Sequence, residues 1–246
     1  MAALEVSRLA KRYGGVDAVV DVSLTLGQGE RRVLIGPNGA GKTTLFHCIA
    51  GAQIATSGSV KLFGADITRL PPYARARAGL ARTFQITNLF ANLSVTENVL
   101  LAVAAAQDIG PAMLRPMRAY RSLYDRAAQL LADWGLAERA SRTVRHLSYG
   151  EQRQLELALA TAGSPKLLLL DEPTAGLSAA ETARVVSMIH ALPRDITLLM
   201  IEHDMDVALE LADRITVLHQ GRIVAEGDRE AIKADAQVAE IYLGVE

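Results

Sequence analysis

Gly36-Pro37-Asn38-Gly39-Ala40-Gly41-Lys42-Thr43-Thr44 constrains this chain more than any other stretch. It fits G-x-x-x-x-G-K-[ST]. Val33-Leu34-Ile35 leads in as a buried strand, and Leu45 to Ile49 leads out as helix. A strand before and a helix after are the context that gives this motif its meaning. Glycines let the backbone wrap an oxyanion so that several N–H groups point inward. The helix that follows aims its positive end at the same anion. Lys42 can bring a cation to the β and γ phosphates of a nucleotide, and Thr43 a hydroxyl to Mg²⁺. The expectation is a nucleoside triphosphate site, and other motifs must say what is done there.

With 246 residues, 50% of them hydrophobic, and a formal net charge of −1, the chain has room for one large α/β domain or two small ones. A core of that size needs no disulfide or metal staple. The one cysteine, Cys48, cannot form an internal disulfide, which fits a reducing cytoplasmic setting. It reads as a small apolar helix residue rather than a catalytic thiol. The start, Met1-Ala2-Ala3-Leu4-Glu5, lacks the basic and apolar regions of a secretory signal. The longest purely apolar run, Val99 to Ala106, is far shorter than the roughly 20 residues a membrane span requires. Near-zero net charge argues against broad electrostatic binding to nucleic acid.

Along residues 4–30, alternating apolar positions (Leu4, Val6, then Val22, Leu24, Leu26) are punctuated by Gly14-Gly15 and Gly27-Gln28-Gly29. This pattern predicts short strands in an antiparallel layer. Tyr13 reads as an ordinary strand aromatic, or as a flat surface for a purine ring. Gly51 and Thr56-Ser57-Gly58 end the phosphate-loop unit, and Val60 to Gly64 predicts another strand. Pro71-Pro72 opens a basic helix carrying Arg75, Arg77 and Arg82. Ala81-Arg82-Thr83-Phe84-Gln85 then reads as a strand ending at an amide.

From about Ile86 to Ala162 helical patterns take over. Leu123, Ala127, Leu130, Leu131 and Trp134 recur at spacings of three and four, as on an amphipathic helix. Arg115, Arg118, Arg121, Arg126, Arg139, Arg142 and Arg145 read as a solvated face, with a partner or lipid headgroups as the alternative. The core pattern resumes afterwards, so this stretch is an insertion within an α/β core. Ser148 and Glu151 form an S-x-x-E capping box. A serine, Gly150 and bare N–H groups at a helix start also suit an anion.

Leu167-Leu168-Leu169-Leu170-Asp171-Glu172 is a continuous apolar run ending in two carboxylates, as suits a parallel strand buried on both faces. Ile196 to Ile201 repeats the design and ends in Glu202-His203. Ligands of open α/β sheets gather at the carboxyl ends of strands, so both endings are expected at the edge where the phosphate loop opens. Ile215–Leu218 and Arg222–Ala225 around Gln220-Gly221 predict a hairpin. A short helix near Val238 to Leu243 closes the chain.

Taken together, these residues resemble the ATP-binding cassette (ABC) ATPases over essentially the whole length. Gly36–Thr44 matches the family's Walker A loop and Gln85 its Q-loop glutamine. Leu147-Ser148-Tyr149-Gly150-Glu151-Gln152 resembles the signature motif LSGGQ. Leu167–Glu172 matches Walker B with its following glutamate, and His203 matches the switch histidine. All occur in the family's order, and Tyr13 falls where the family stacks an aromatic on adenine. There are two departures: Tyr149 replaces the first signature glycine, and Ser178 stands where many cassettes have aspartate. Ala81–Gln85, Leu89-Phe90, Thr96-Glu97-Asn98-Val99, Ile201–Met205 and Ile241-Tyr242-Leu243-Gly244 are similar to the larger ATPase subunit of bacterial branched-chain amino-acid importers, whose relatives carry urea, amides or aromatic acids.

The resemblance implies a P-loop NTPase: a mostly parallel core sheet, an N-terminal antiparallel β layer and an inserted helical subdomain. Residues 1–85 and 163–246 would form the core and 86–162 the insertion. It implies ATP and Mg²⁺, with Tyr13 on adenine, Gly36–Thr44 on the phosphates, and Thr43, Gln85 and Asp171 as metal holders. Glu172 would be the general base and His203 the γ-phosphate contact. Ser148 and Gly150 would act on ATP held by a second ATPase subunit. It further implies permease subunits docking near Ile86 to Val99, a periplasmic solute-binding protein, no nucleic acid, and a peripheral place on the cytoplasmic face of the membrane. Chromosome-maintenance ATPases share the motifs but place long coiled coils between Thr44 and Leu147, and no sustained heptads occur here. Translation factors usually join two cassettes. A non-hydrolysing regulatory module would have lost Glu172 or Lys42. Lipid export by the same machinery is the remaining alternative.

Overall fold

The longest strands pair at the N-terminus. β1 (Ala2–Tyr13) and β2 (Val16–Gly27) form an antiparallel hairpin across Gly14-Gly15, with alternate residues buried. They are longer than the short strands expected. Register shifts along the pairing, with Arg8 and Asp21 at positive φ, break the apolar alternation without ending the strands. β4 (Ser57–Leu62) pairs with β1, and β5 (Ala65–Asp66) with β4, so the four-stranded order is β2-β1-β4-β5. The computed structural model describes residues 1–83, 89–107 and 120–243.

A second sheet, in the order β10-β9-β3-β8-β7-β6, carries the chemistry. At its centre β3 (Arg31–Ile35) lies parallel to β8 (Thr197–Ile201) and β9 (Arg214–His219). β7 (Leu167–Asp171) and β6 (Leu80–Arg82) continue the parallel set. β10 (Arg222–Gly227) adds an antiparallel edge through the Gln220-Gly221 turn, where both residues take the positive φ of a two-residue hairpin. Every residue of β3, β7 and β8 is buried. Successive side chains of β7 feed two cores. Leu167 and Leu169 join α1 (Lys42–Ala50) and the antiparallel layer, while Leu168 and Leu170 join the helical side. An unbroken apolar run therefore reads as a strand covered on both faces.

α2 (Pro72–Arg77) stops before Gly79, which has a φ of +100°. Arg82 therefore lies on β6, as the strand reading from Ala81 predicts, and not on the basic helix. Arg75 does lie on α2, but buried: it donates to the carbonyls of Cys48, Ile49, Leu70 and Thr68, taking up the C-terminal end of α1. Between β6 and β7 stand α3 (Val95–Ala106), α4 (Arg121–Asp133) and α5 (Tyr149–Thr161). Leu123, Ala127, Leu130 and Leu131 of α4 face the core together with Trp134, as their spacing predicts. The parallel sheet, antiparallel layer and inserted helices are the α/β P-loop architecture that the motifs imply. α6 (Ala179–Ala191), α7 (Met205–Leu211), α8 (Arg229–Ala234) and α9 (Ala236–Leu243) complete the chain. Among the described residues no helix is long and apolar enough to cross a membrane.

Candidate nucleotide site

The phosphate loop leaves β3 at Ile35 and enters α1 at Lys42. Its glycines are required by geometry. A Cβ on Gly36 would stand 2.0 Å from the Leu218 carbonyl oxygen, and one on Gly41 2.2 Å from that of Ala18. Gly36, Gly39 and Gly41 also take φ values of +149°, +79° and +100°, a region costly for other residues. Gly221 of the β9–β10 turn donates to Ala40 O at 2.9 Å and backs the loop. Gly41, having no side chain, precedes α1 without a side-chain cap, so the N-cap position offers the helix's first amides no acceptor of its own. Pro37 is half-buried, Asn38 and Gly39 are exposed, Ala40 is buried, and Thr43 and Thr44 are half-buried on the first turn of α1.

Lys42 is 5% exposed, and its Nζ donates to Gly36 O at 2.6 Å and Pro37 O at 3.0 Å. Burial lowers its pKa, and the charges of Glu172 and then Asp171 work against that shift. Lys42 and the two carboxylates therefore share one electrostatic neighbourhood.

β7 and β8 deliver the rest. Their register pairs Asp171 with Ile201, so the next residues along bring Glu172 and His203 to one edge. His203 Nε2 and Glu172 Oε1 are 2.7 Å apart. Glu172 takes a φ of +48°, and its carbonyl, with those of Asp171 and Pro173, accepts from the guanidinium of Arg153 on α5. Asp171 is fully buried. Burial raises its pKa, and Arg82, whose Nη2 lies 3.2 Å from Oδ2, works against that shift. Its other oxygen, Oδ1, is buried without a hydrogen-bond partner among the described residues. Such an oxygen fits a hard cation or that cation's water shell. Among the described residues no cluster of three or more metal-binding side chains exists. Mg²⁺ held by one or two protein oxygens plus phosphates needs none. Gln85, the remaining expected holder, lies outside the described residues.

Tyr13 ends β1 43% exposed, with Lys11 Nζ 4.8 Å from its ring centroid. Ser148 caps α5. Its Oγ accepts from Glu151 N at 3.2 Å, and its own N–H donates to Glu151 Oε2 at 2.9 Å. Gly150 is buried, and a Cβ there would stand 2.4 Å from Glu181 Oε1. The cleft at this helix start is lined by Ser148, Gly150, Glu151, Gln154, Glu181 and Arg184, and shares no residue with the phosphate loop. The two departures from the family's pattern lie in one region. A Cβ on Gly176 would meet the Tyr149 ring at 3.2 Å, and Ser178 caps α6 through Glu181.

Neither Arg82 nor Arg153 stands out in the sequence as a site residue, whereas Glu202 reads as lying at the strand edge with His203. Arg153 directly follows the signature run, and that adjacency is its one signal in the sequence. Glu202 is buried and turned toward Thr174.

A phosphate loop, an uncapped helix start and two acidic strand ends on a parallel sheet define a mononucleotide-binding α/β protein of the P-loop class. The model of the ABC transporter family matches residues 19–175, and the chain belongs to that family. It is 41% identical to the high-affinity branched-chain amino acid transport ATP-binding protein LivG of Salmonella typhimurium, over 98% of this chain and 97% of that one. BraF of Pseudomonas aeruginosa, which bears the same description, is 39% identical over the same shares. The lipopolysaccharide export system ATP-binding protein LptB of Haemophilus influenzae is 33% identical over 99% of this chain and 98% of that one. A solved ATP-binding cassette of an ABC transporter in its ADP conformation superposes with a TM-score of 0.86 at 30% identity, covering 99% of both chains.

Proposed function

We propose that this chain is the ATP-hydrolysing subunit of an importer for branched-chain or related amino acids. The observation that carries the chemistry is the convergence of Lys42, Asp171, Glu172 and His203 at the ends of β3, β7 and β8. Tyr13 would stack on adenine. The amides of Gly36–Thr44 would cradle the phosphates, and Lys42 would swing from the loop carbonyls to the β and γ oxygens. Thr43, Gln85 and Asp171 would hold Mg²⁺, whose charge offsets that of the phosphates when bound. Glu172 takes the proton of the attacking water, and His203 donates to the γ-phosphate. Such catalysis is mostly positioning and charge stabilisation, which suits groups fixed on strand ends.

Ser148 and Gly150 lie in a cleft separate from the phosphate loop. They would serve ATP held by a second ATPase subunit, so that two chains enclose two nucleotides. Loss of the γ-phosphate then releases the pair. Partners supply the membrane path: permease subunits docked near Ile86 to Val99 at the cytoplasmic face, fed by a periplasmic binding protein. The full-length similarity to LivG and BraF supports amino-acid cargo over lipid export, since LptB matches at lower identity.

The direct test is Glu172→Gln. This variant should bind ATP with wild-type affinity and lose turnover by at least about 100-fold. Hydrolysis at the wild-type rate would overturn the assignment of the base. Leucine uptake by vesicles carrying the chain with its permeases tests the cargo. ATP turnover there without any amino-acid uptake would favour export.

A further inference from the structure

We propose that Glu202 is a positioning residue for hydrolysis: its buried carboxylate clamps the turn after Glu172 to the segment that ends in His203. The proposal rests on the reading of Glu172 and His203 as the working pair. Glu202 follows β8 directly and is 2% exposed. Its Oε1 accepts from Thr174 Oγ1 at 3.0 Å and from Thr174 N at 3.3 Å. Thr174 belongs to the turn leaving β7, where Ala175 N donates back to Glu172 O at 3.2 Å. Glu202 itself immediately precedes His203 in the chain. One side chain thus links the two segments that present the pair, and the Glu202 N–H reaches Leu34 O of β3 at 3.4 Å.

This arrangement meets a need. Glu172 has a φ of +48°, which a residue with a Cβ keeps only when its surroundings over-determine it. Arg153 holds the Asp171, Glu172 and Pro173 carbonyls from the α5 side. Glu202 holds the opposite end of the same turn. The His203 side chain is 42% exposed, so its aim depends on the backbone that carries it. A buried carboxylate is costly, and burial pushes that of Glu202 up to about 7, with the Glu172 charge adding to the rise. A leucine would fill the space without that cost. A costly group kept at a strand end beside the site is accounted for by the geometry it enforces.

The test compares three variants of the full chain by steady-state ATP hydrolysis, with folding checked by circular dichroism. Glu202→Gln keeps an acceptor for Thr174 and should stay within about twofold of wild-type kcat, because the geometry is kept. Glu202→Leu removes the acceptor and should lower kcat by about tenfold or more while KM for ATP moves less than about threefold. Thr174→Val removes one donor and should show the same split at smaller amplitude. A folded Glu202→Leu with wild-type kcat, or with KM raised as much as kcat is lowered, overturns the proposal. So does Glu202→Gln as slow as Glu202→Leu. Should Glu202→Leu not fold, unchanged kcat in Thr174→Val overturns it equally. Glu172→Gln is run alongside. Turnover in that variant refutes the base assignment, whereas a dead Glu172→Gln beside a fast Glu202→Leu refutes the clamp alone.

Discussion

Glu172 Oε1 and His203 Nε2 stand 2.7 Å apart although 31 positions separate them in the chain. The contact follows from the register of β7 and β8, which pairs Asp171 with Ile201 and leaves the next residues of each strand at one edge. Neither residue belongs to the phosphate loop. Replacing His203 with Ala should therefore lower kcat by about 100-fold and leave nucleotide affinity within a few-fold. A fluorescent nucleotide titration beside the rate assay checks both. Equal loss in the two measurements would make His203 a binding group.

Lys42 is held by two loop carbonyls at 2.6 and 3.0 Å, so binding a triphosphate exchanges those bonds for phosphate oxygens. Bonds to charged partners are worth more than bonds to neutral carbonyls. Lys42→Ala should weaken ATP binding by about 10- to 100-fold. AMP, which lacks β and γ phosphates, should bind both proteins alike. Unchanged ATP affinity in Lys42→Ala would refute the phosphate-loop reading.

Ser148 sits at a helix start whose lining excludes the phosphate loop. Ser148→Ala should slow hydrolysis by about tenfold, the worth of one hydrogen bond to a charged group. ATP binding by the single chain should stay within about twofold, since the loss falls on a site completed by a partner. Parallel loss of single-chain binding and turnover argues against a shared site. The Glu181 carboxylate beside Gly150 and the Tyr149 ring against Gly176 show that this start is packed onto α6 and the turn before it. The departures at 149 and 178 thus fall within one packed unit.

What could be read from the sequence depended on how local each signal was. The phosphate loop, the buried run at 167–172 and the Gln220-Gly221 turn were legible because glycine and unbroken apolar stretches act over a few residues. The S-x-x-E pattern read at Ser148 recurs at Ser94 and Ser178, where the structure has capping boxes as well. Buried arginines were not legible. Arg75 and Arg153 look like surface charges until the carbonyls they satisfy are brought to them by strands and helices remote in the chain. The N-terminal strands are longer than their alternation suggests because bulges interrupt it. Arg82 fits both the basic helix and the Ala81–Gln85 strand in sequence, and Gly79, by ending α2 early, leaves it on the strand.

Glu202 carries a consequence for stability as well as for geometry. Its pKa is raised from 4.5 to about 7, and burial is the largest cause. Between those values the folded chain keeps a proton that the unfolded chain has lost, so stability falls as pH rises through this window. The loss is complete above about pH 7, where both states are ionised, and is on the order of 3 kcal/mol. Glu202→Gln cannot ionise and keeps an acceptor for Thr174. Its stability relative to wild type should therefore grow from pH 5 to pH 8 and then level off. Urea denaturation at several pH values measures this directly, with the slope of unfolding free energy against denaturant unchanged. A difference that stays constant, or that narrows as pH rises, would mean that the Glu202 carboxyl is already ionised in the folded chain at low pH. Thr174 would then hold a charge that water or a neighbouring cation stabilises.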